Sequence, residues 1–159
     1  FAKIIYEFKK RDRNKPLILM GSERKQLIDY VHESAKEDFE TIAKKYWPGA
    51  LTMVIPASKK DNTILTSSDF TLGLRIPNSH MAQTLIRETG PLLTSSANIS
   101  GLKGSITADG IALDFPSVNI LGPVPWENAS GKGSTIISWK KSRDWMLIRE
   151  GEVIIERFY

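Results

Sequence analysis

Apolar residues recur along this chain with two different spacings, and each spacing predicts a different element. In the first stretch, apolar residues recur every three or four positions, which places them on one face of a helix. They are Phe1, Ile4, Ile5 and Phe8. The same spacing, with polar residues suited to capping a helix start, predicts further helices. These begin after Ser22 (with Leu27, Ile28 and Val31), at a capping box of Ser34 and Glu37 leading to Tyr46, after Ser79, and over residues 107–115.

Short apolar runs bounded by turn residues predict the strands of a sheet. They lie at residues 16–20, 51–57, 70–77, 91–95, 118–122, 134–139 and 145–151. Because these runs are interleaved with helices, the sequence predicts an α/β fold with layers around a twisted sheet. It contains no internal repeat and no linker, so we expect a single domain.

Composition narrows the classes of protein to consider. The chain has 159 residues and no cysteine, which excludes disulfides and thiolate chemistry and is compatible with the cytoplasm. No apolar run approaches the roughly 20 residues of a membrane span. The net charge of +4 and the pI of about 9.3 favour an anionic partner, although a solvated lysine-rich surface explains them equally well.

Several kinds of catalytic site are disfavoured by the residues present. His32 and His80 are far apart and no cysteine accompanies them, which argues against a structural zinc site. A serine-hydrolase triad is also disfavoured, because no G-x-S-x-G elbow presents a nucleophile. The segment "SGKGST" (130–135) superficially resembles a phosphate-binding loop. It is not a Walker A motif, because Lys132 is followed by Gly133 instead of Ser or Thr.

The remaining candidates are cations and hydroxyls. Arg75 lies inside the apolar strand "LGLRIP", where a guanidinium must be paired or face a cleft, and Arg149 lies similarly in "MLIREG". A run of small polar residues at 94–101, "TSSANISG", either forms a surface turn or receives an anion. The cations of "KKRDRNK" (9–15) either complement a helix end or join that site. Together they favour a nucleotide-sized polyanion.

Six of these segments, in order, resemble the YrdC/TsaC family of threonylcarbamoyl-AMP synthases. They are "KKR…KPLILM", "YWPGALTMVIP", "TLGLRIPNS", "LLTSSANISG", "GSTIISW" and "LIREGEV". The resemblance covers residues 1–153 as one YrdC-like domain and leaves 154–159 as a tail. It implies a twisted mixed sheet with flanking helices and a basic concave face. The family's K-x-R and S-x-N signature falls on Lys9, Arg11, Ser96 and Asn98 as catalytic residues.

The resemblance also implies an activity and its ligands. The family is a nucleotidyltransferase that joins L-threonine, bicarbonate and ATP with Mg²⁺ into threonylcarbamoyl-AMP and pyrophosphate, with no bound transition metal. The product serves tRNA modification by a downstream transferase machinery, in the cytoplasm and without a membrane. The residues expected to bind ATP are Arg11, Lys15, Thr71, Asn98, Ser105, Thr107 and Arg149. Those expected to bind threonine are Met20, Arg75, Ser96 and Ser134.

Some features depart from the family pattern. Met20 stands where some relatives have a histidine, and the spacing in "SGLKGSIT" is one residue longer than expected. The chain opens on Phe1, without the family's T-D-T-x-Y-G-L segment and without a residue that caps the first helix, so we expect sequence upstream. Two other functions stay open: a binding module for double-stranded RNA or tRNA without catalysis, and a small-molecule-binding relative with a changed substrate.

Overall fold

The computed structural model describes residues 2–10, 17–58, 70–99, 101, 104–126 and 130–155. The helices in these ranges are α1 (Ala2–Phe8), α2 (Lys36–Tyr46), α3 (His80–Thr89) and α4 (Ala108–Asp114). The strands are β1 (Ile18–Met20), β2 (Leu51–Pro56), β3 (Thr71–Arg75), β4 (Leu92–Thr94), β5 (Thr135–Lys141) and β6 (Asp144–Arg149). Short 3-10 turns lie at Arg24–Gln26, Ile28–Tyr30 and Glu33–Ala35.

The strands form one mixed sheet of six strands in the order β4-β1-β3-β2-β5-β6. β1 runs parallel to β3 and β2 runs parallel to β5, whereas the other neighbours are antiparallel. The predicted α/β class with a mixed sheet is therefore confirmed. β4 and β6 are the outermost strands of the described sheet.

One face of the sheet carries the hydrophobic core. Its strands contribute alternate residues, because successive side chains in a strand point to opposite faces. These core residues include Leu19, Leu51, Met53, Ile55, Leu72, Leu74 and Ile137. The 3-10 turns and α2 cover them with Leu27, Val31, Phe39, Ile42 and Ala43. Trp47 closes the layer, with its ring edge against Phe39 at a centroid distance of 5.6 Å.

Most predicted elements are present, and one predicted cap is confirmed directly. The Ser79 hydroxyl accepts a hydrogen bond from the Ala82 amide at 3.4 Å, as expected of the residue before a helix. The helix predicted from apolar spacing at the start of the chain is α1. Its Phe8 is partly exposed and stacks on Phe115 at a centroid distance of 5.4 Å.

The helix predicted after Ser22 is wrong, because this segment forms 3-10 turns. The amide and hydroxyl of Ser22 both donate to the Gln26 side chain, which replaces a helical cap. The segment must then return to the sheet, since Val31 forms a bridge with Ala57 and the His32 amide donates to the Pro56 carbonyl. Sheet contacts at residues 31 and 32 therefore prevent a continuous helix.

Two further predictions are corrected. The Ser34–Glu37 capping box is wrong, since Ser34 lies within a 3-10 turn that His32 caps by accepting from the Ser34 amide. The strand predicted at 118–122 is also wrong. Val118 continues the turn after α4 through a hydrogen bond to the Phe115 carbonyl, and the described chain places no strand beside this segment. An apolar run without a partner strand does not form a ladder.

Candidate active site

The second face of the sheet, opposite the core, carries three polar side chains and one methionine from otherwise apolar strands. We call it the polar face and define it by Met20, Thr52, Thr71 and Arg75, which alternate with core residues. Met20 and Arg75 are direct register partners on β1 and β3. Both lie at the carboxyl ends of these parallel strands, so two residues predicted to bind threonine are adjacent.

Arg75 is a half-buried cation held by a backbone carbonyl. Its Nε donates to the Gly49 carbonyl at 3.0 Å, which fixes the orientation of the guanidinium. Burial lowers the pKa of Arg75, the negative charge of Glu152 raises it, and the positive charge of Arg149 lowers it further. An arginine nevertheless stays protonated near neutral pH. Among the described residues no carboxylate lies within ion-pair distance, so this cation is suited to a ligand carboxylate or phosphate.

Arg149 reaches the same region because of an irregularity in the pairing of β5 and β6. Ile137 pairs with Leu147, but Ile136 pairs with Arg149, so the register shifts between them. A shift of this kind re-aims a side chain, and here it brings Arg149 opposite Ile136. The Arg149 guanidinium donates to the Ser134 carbonyl through Nε at 3.1 Å and Nη2 at 2.6 Å.

Ser134 joins Arg149 to the centre of the sheet. Its hydroxyl lies 2.8 Å from the hydroxyl of Thr52, which is 1% exposed, and 3.3 Å from Nη2 of Arg149. The predicted ATP residue Arg149 and the predicted threonine residue Ser134 are therefore in direct contact. We call Arg75, Ser134, Arg149 and Thr52 the arginine cluster.

A second cluster forms where α1 ends and the loop after β4 begins. Lys9 is only 6% exposed, and its Nζ donates to the Ser95 hydroxyl at 3.0 Å and to the Ser96 carbonyl. The backbone amide of Asn98 donates to the same carbonyl at 3.0 Å. The Ser96 hydroxyl donates to the side-chain oxygen Oδ1 of Asn98 at 2.5 Å. We call Lys9, Ser95, Ser96 and Asn98 the lysine cluster. It unites the described members of the predicted K-x-R and S-x-N signature.

Ser105 and Thr107 lie beside the lysine cluster. A Cβ at the preceding Gly104 would come 3.4 Å from the Ala97 carbonyl oxygen, so this segment packs closely on the loop after β4. The Thr107 hydroxyl caps α4 through the Gly110 amide, and the Thr107 amide donates to the Ser105 hydroxyl. Both residues therefore have a local structural role that does not depend on a ligand.

The residues predicted to bind ATP and those predicted to bind threonine do not correspond to the two clusters in the structure. Ser96, predicted with threonine, lies in the lysine cluster, whereas Arg149, predicted with ATP, lies in the arginine cluster. Across the sheet, β4 and β6 are separated by five strand spacings, or roughly 24 Å. Thr71 begins β3 on the polar face, at the opposite end of that strand from Arg75. Arg11 and Lys15 lie outside the described residues.

The sequence reasoning missed three contributors to these clusters. Thr52 had a detectable signal, since it is the one polar residue in the strand "LTMVIP". Ser95 stands out in the sequence only as part of a polar run. The negative charge of Glu152 raises the pKa of Arg75, and its carboxylate accepts a hydrogen bond from the Ser130 hydroxyl at 2.9 Å. No motif or pattern in the sequence marked Glu152 as a site residue. Its position depends on how the chain folds back after β6.

The described ranges also bear on two other classes of site. No group of three or more histidine, cysteine, aspartate or glutamate residues there is arranged to hold a metal ion. No described helix has the length and apolar character needed to cross a membrane.

Comparison with known proteins then places the chain in a family. The profile of the Sua5/YciO/YrdC domain, whose description is "Telomere recombination", matches residues 1–151. This chain belongs to the Sua5/YciO/YrdC family. Two curated relatives are threonylcarbamoyl-AMP synthases. That of Bacillus subtilis is 38% identical over 117 residues, covering 72% of this chain and 33% of the relative. That of Idiomarina loihiensis is 33% identical over 113 residues, covering 70% of this chain and 61% of the relative.

Solved structures agree with this Sua5/YciO/YrdC assignment. Pyrococcus abyssi Sua5 complexed with L-threonine is 32% identical, with a TM-score of 0.82 over 94% of this chain and 44% of that one. Escherichia coli YciO, at 21% identity and a TM-score of 0.74, supports the fold alone and covers 99% of this chain and 76% of that one. The chain thus spans between a third and about three fifths of the length of the curated relatives named above.

Proposed function

We propose that this Sua5/YciO/YrdC chain carries the site of a threonylcarbamoyl-AMP synthase, which makes threonylcarbamoyl-AMP and pyrophosphate from L-threonine, bicarbonate and ATP. The observation that carries the proposal is the contact of Lys9 with Ser95 and Ser96. These residues are 86 and 87 positions apart, so only the fold unites them. The activity named for the curated relatives, and the threonine bound by Pyrococcus abyssi Sua5, support this function.

The chemistry of this reaction requires cations more than it requires a general base. The threonine amine combines with bicarbonate to give a carbamate and water. A carbamate oxygen then attacks the α-phosphorus of ATP, and the bond between the α- and β-phosphates breaks to release pyrophosphate. Because both reactants are anions, catalysis depends on positive charge that offsets their repulsion and stabilises the charge developing in the transition state. The arginine and lysine clusters provide such charge.

In this proposal the two clusters bind different substrates. The lysine cluster would bind the nucleotide, together with Arg11, Lys15, Thr71, Ser105 and Thr107. The arginine cluster would hold the threonine carboxylate at Arg75, next to Met20 and Ser134, while Arg149 would extend from this cluster to the phosphates. Ser96 would face threonine from the lysine cluster. The substrates would then bridge the polar face between the two clusters.

Magnesium would enter with ATP as part of the substrate. The acceptor of the activated group would be an adenosine in tRNA, through a separate transferase, and we place the reaction in the cytoplasm. The competing candidate is an RNA-binding module, which the net charge of +4 favours. Binding through phosphate contacts would weaken steeply with salt and show little preference for sequence.

The direct test incubates the protein with L-threonine, bicarbonate and MgATP and measures pyrophosphate and the adenylate product. Reactions lacking one substrate provide the baseline. The variant Lys9→Gln should lose about a hundredfold in rate, because it removes a buried cation from the site. Its matched control is Lys10→Gln, the next residue, which is exposed.

The outcomes separate the two functions. Threonine-dependent product that falls in Lys9→Gln and persists in Lys10→Gln supports the synthase. Salt-sensitive tRNA binding without product, or equal rates in both variants, would contradict it.

A further inference from the structure

The segment 130–134, "SGKGS", leads into β5 beside Gly151 and Glu152, and the proposed function uses only its last residue. Glycine has a structural reason at Gly131, and at Gly133 it allows a close approach. Gly131 has a φ of +72°, a left-handed conformation that other residues rarely adopt. A Cβ at Gly133 would come 2.9 Å from Nη2 of Arg149, so the guanidinium packs directly on the backbone there.

The backbone amides of this segment differ in whether they have a partner among the described residues. The Lys132 amide donates to the Ser130 hydroxyl at 3.2 Å, and the Gly133 carbonyl accepts from the Glu152 amide at 3.1 Å. By contrast, the amides of Gly133 and Ser134 make no hydrogen bond with any described residue. Ser134 is only 5% exposed, and a buried amide without a partner is costly unless a ligand or water satisfies it.

The charges around these amides are mainly positive. Arg149 is bonded to Ser134, Arg75 is close enough for the two guanidinium charges to affect each other, and the exposed Lys132 lies within the segment. Glu152 is the opposing charge, and the Ser130 hydroxyl binds its carboxylate at 2.9 Å. Amide donors without a partner among the described residues, beside small side chains and cations, have the chemistry to bind an anion.

We infer that residues 130–134 form an oxyanion-binding loop for the pyrophosphate leaving group, with the amides of Gly133 and Ser134 and the side chains of Lys132 and Arg149 as donors. The identity of the anion rests on the proposed function. Phosphate and carboxylate oxygens share the required acceptor chemistry, so the threonine carboxylate is the competing ligand. Lys132 favours the phosphate chain, because it adds a second cation beside Arg149 where a carboxylate needs only one.

The test measures binding by calorimetry, without turnover, using inorganic pyrophosphate and L-threonine as separate probes. Lys132→Ala should weaken pyrophosphate binding about tenfold, the effect of losing one charge-assisted contact, and leave threonine binding unchanged. The matched control is Lys140→Ala, an exposed lysine on β5 outside the loop, which should change neither affinity. In ¹⁵N-labelled protein, pyrophosphate should shift the amide resonances of Gly133 and Ser134.

Other results would overturn the inference. These are a loss of threonine affinity alone, equal losses in Lys132→Ala and Lys140→Ala, unmoved amide resonances, or no pyrophosphate binding at millimolar concentration. Failure is distinguishable from failure of the proposed function. Synthesis of the adenylate with pyrophosphate binding unaffected by Lys132→Ala would remove the loop assignment only. Pyrophosphate binding that depends on Lys132, without any synthesis, would remove the synthase assignment only.

Discussion

The two faces of the sheet are made from the same strands, yet their side chains have different kinds of partners. On the core face, α2 and the 3-10 turns bury Leu74 and Met53 completely. On the polar face, neighbouring residues of the same strands, Arg75 and Thr52, bond to a carbonyl and a hydroxyl. The core face stabilises the fold by apolar burial. The polar face keeps charged groups oriented without neutralising them, as a ligand site requires.

The largest expected difference between the faces is in stability. Phe39→Ala removes a fully buried ring from the core face and should lower the free energy of unfolding by about 3–5 kcal/mol. Met20→Ala, at a half-buried position on the polar face, should lower the free energy of unfolding by much less than Phe39→Ala does. Urea unfolding of both variants measures the comparison. Equal losses would show that the polar face also stabilises the fold.

The next effect concerns ligand binding on the polar face. Arg75→Lys keeps the charge but loses the planar guanidinium, and should raise the KM for threonine about 30-fold, or ~2 kcal/mol. The melting temperature should fall by less than about 4 °C, since only the bond to Gly49 is lost. Thermal melts and pyrophosphate release from the same samples separate the two roles. A large fall in melting temperature with an ordinary KM would make Arg75 structural.

A smaller effect is expected in the lysine cluster. Asn98→Ala removes the acceptor of the Ser96 hydroxyl and should weaken MgATP binding about tenfold, or ~1.4 kcal/mol. Asn119→Ala, at an exposed amide that belongs to neither cluster, is the control. Calorimetry with MgATP measures both variants. Unchanged affinity in Asn98→Ala would move the nucleotide away from this cluster.

The smallest expected effect tests a buried hydrogen bond on the polar face itself. Thr52→Val preserves the shape of a buried side chain but removes the hydroxyl that meets Ser134, which should cost about 1 kcal/mol in unfolding free energy. The KM for threonine should rise only slightly, because Arg149 still holds the Ser134 carbonyl. Urea unfolding and steady-state kinetics measure these quantities. A stability loss above that for Phe39→Ala would reverse the ranking of the faces.

Elements with strong apolar periodicity were predictable, and elements that depend on distant contacts were not. The spacing of Ile4, Ile5 and Phe8 predicted α1, and the serine before residue 80 predicted the start of α3. The helix expected after Ser22 failed, because the sheet binds the backbone of Val31 and His32. Local propensity holds only where no tertiary hydrogen bond competes with it.

The sequence by itself determined the α/β class, the positions of most strands, and the residue types able to receive an anion. It did so because burial and side-chain chemistry follow from local pattern. Only the tertiary structure decided which candidates meet: Lys9 with Ser96, and Arg149 with Ser134. The register shift between Ile136 and Ile137 brings Arg149 opposite Ile136. Strand order and register arise from pairings between distant segments, whose energies depend on the whole packed sheet and leave no periodic mark in any one segment.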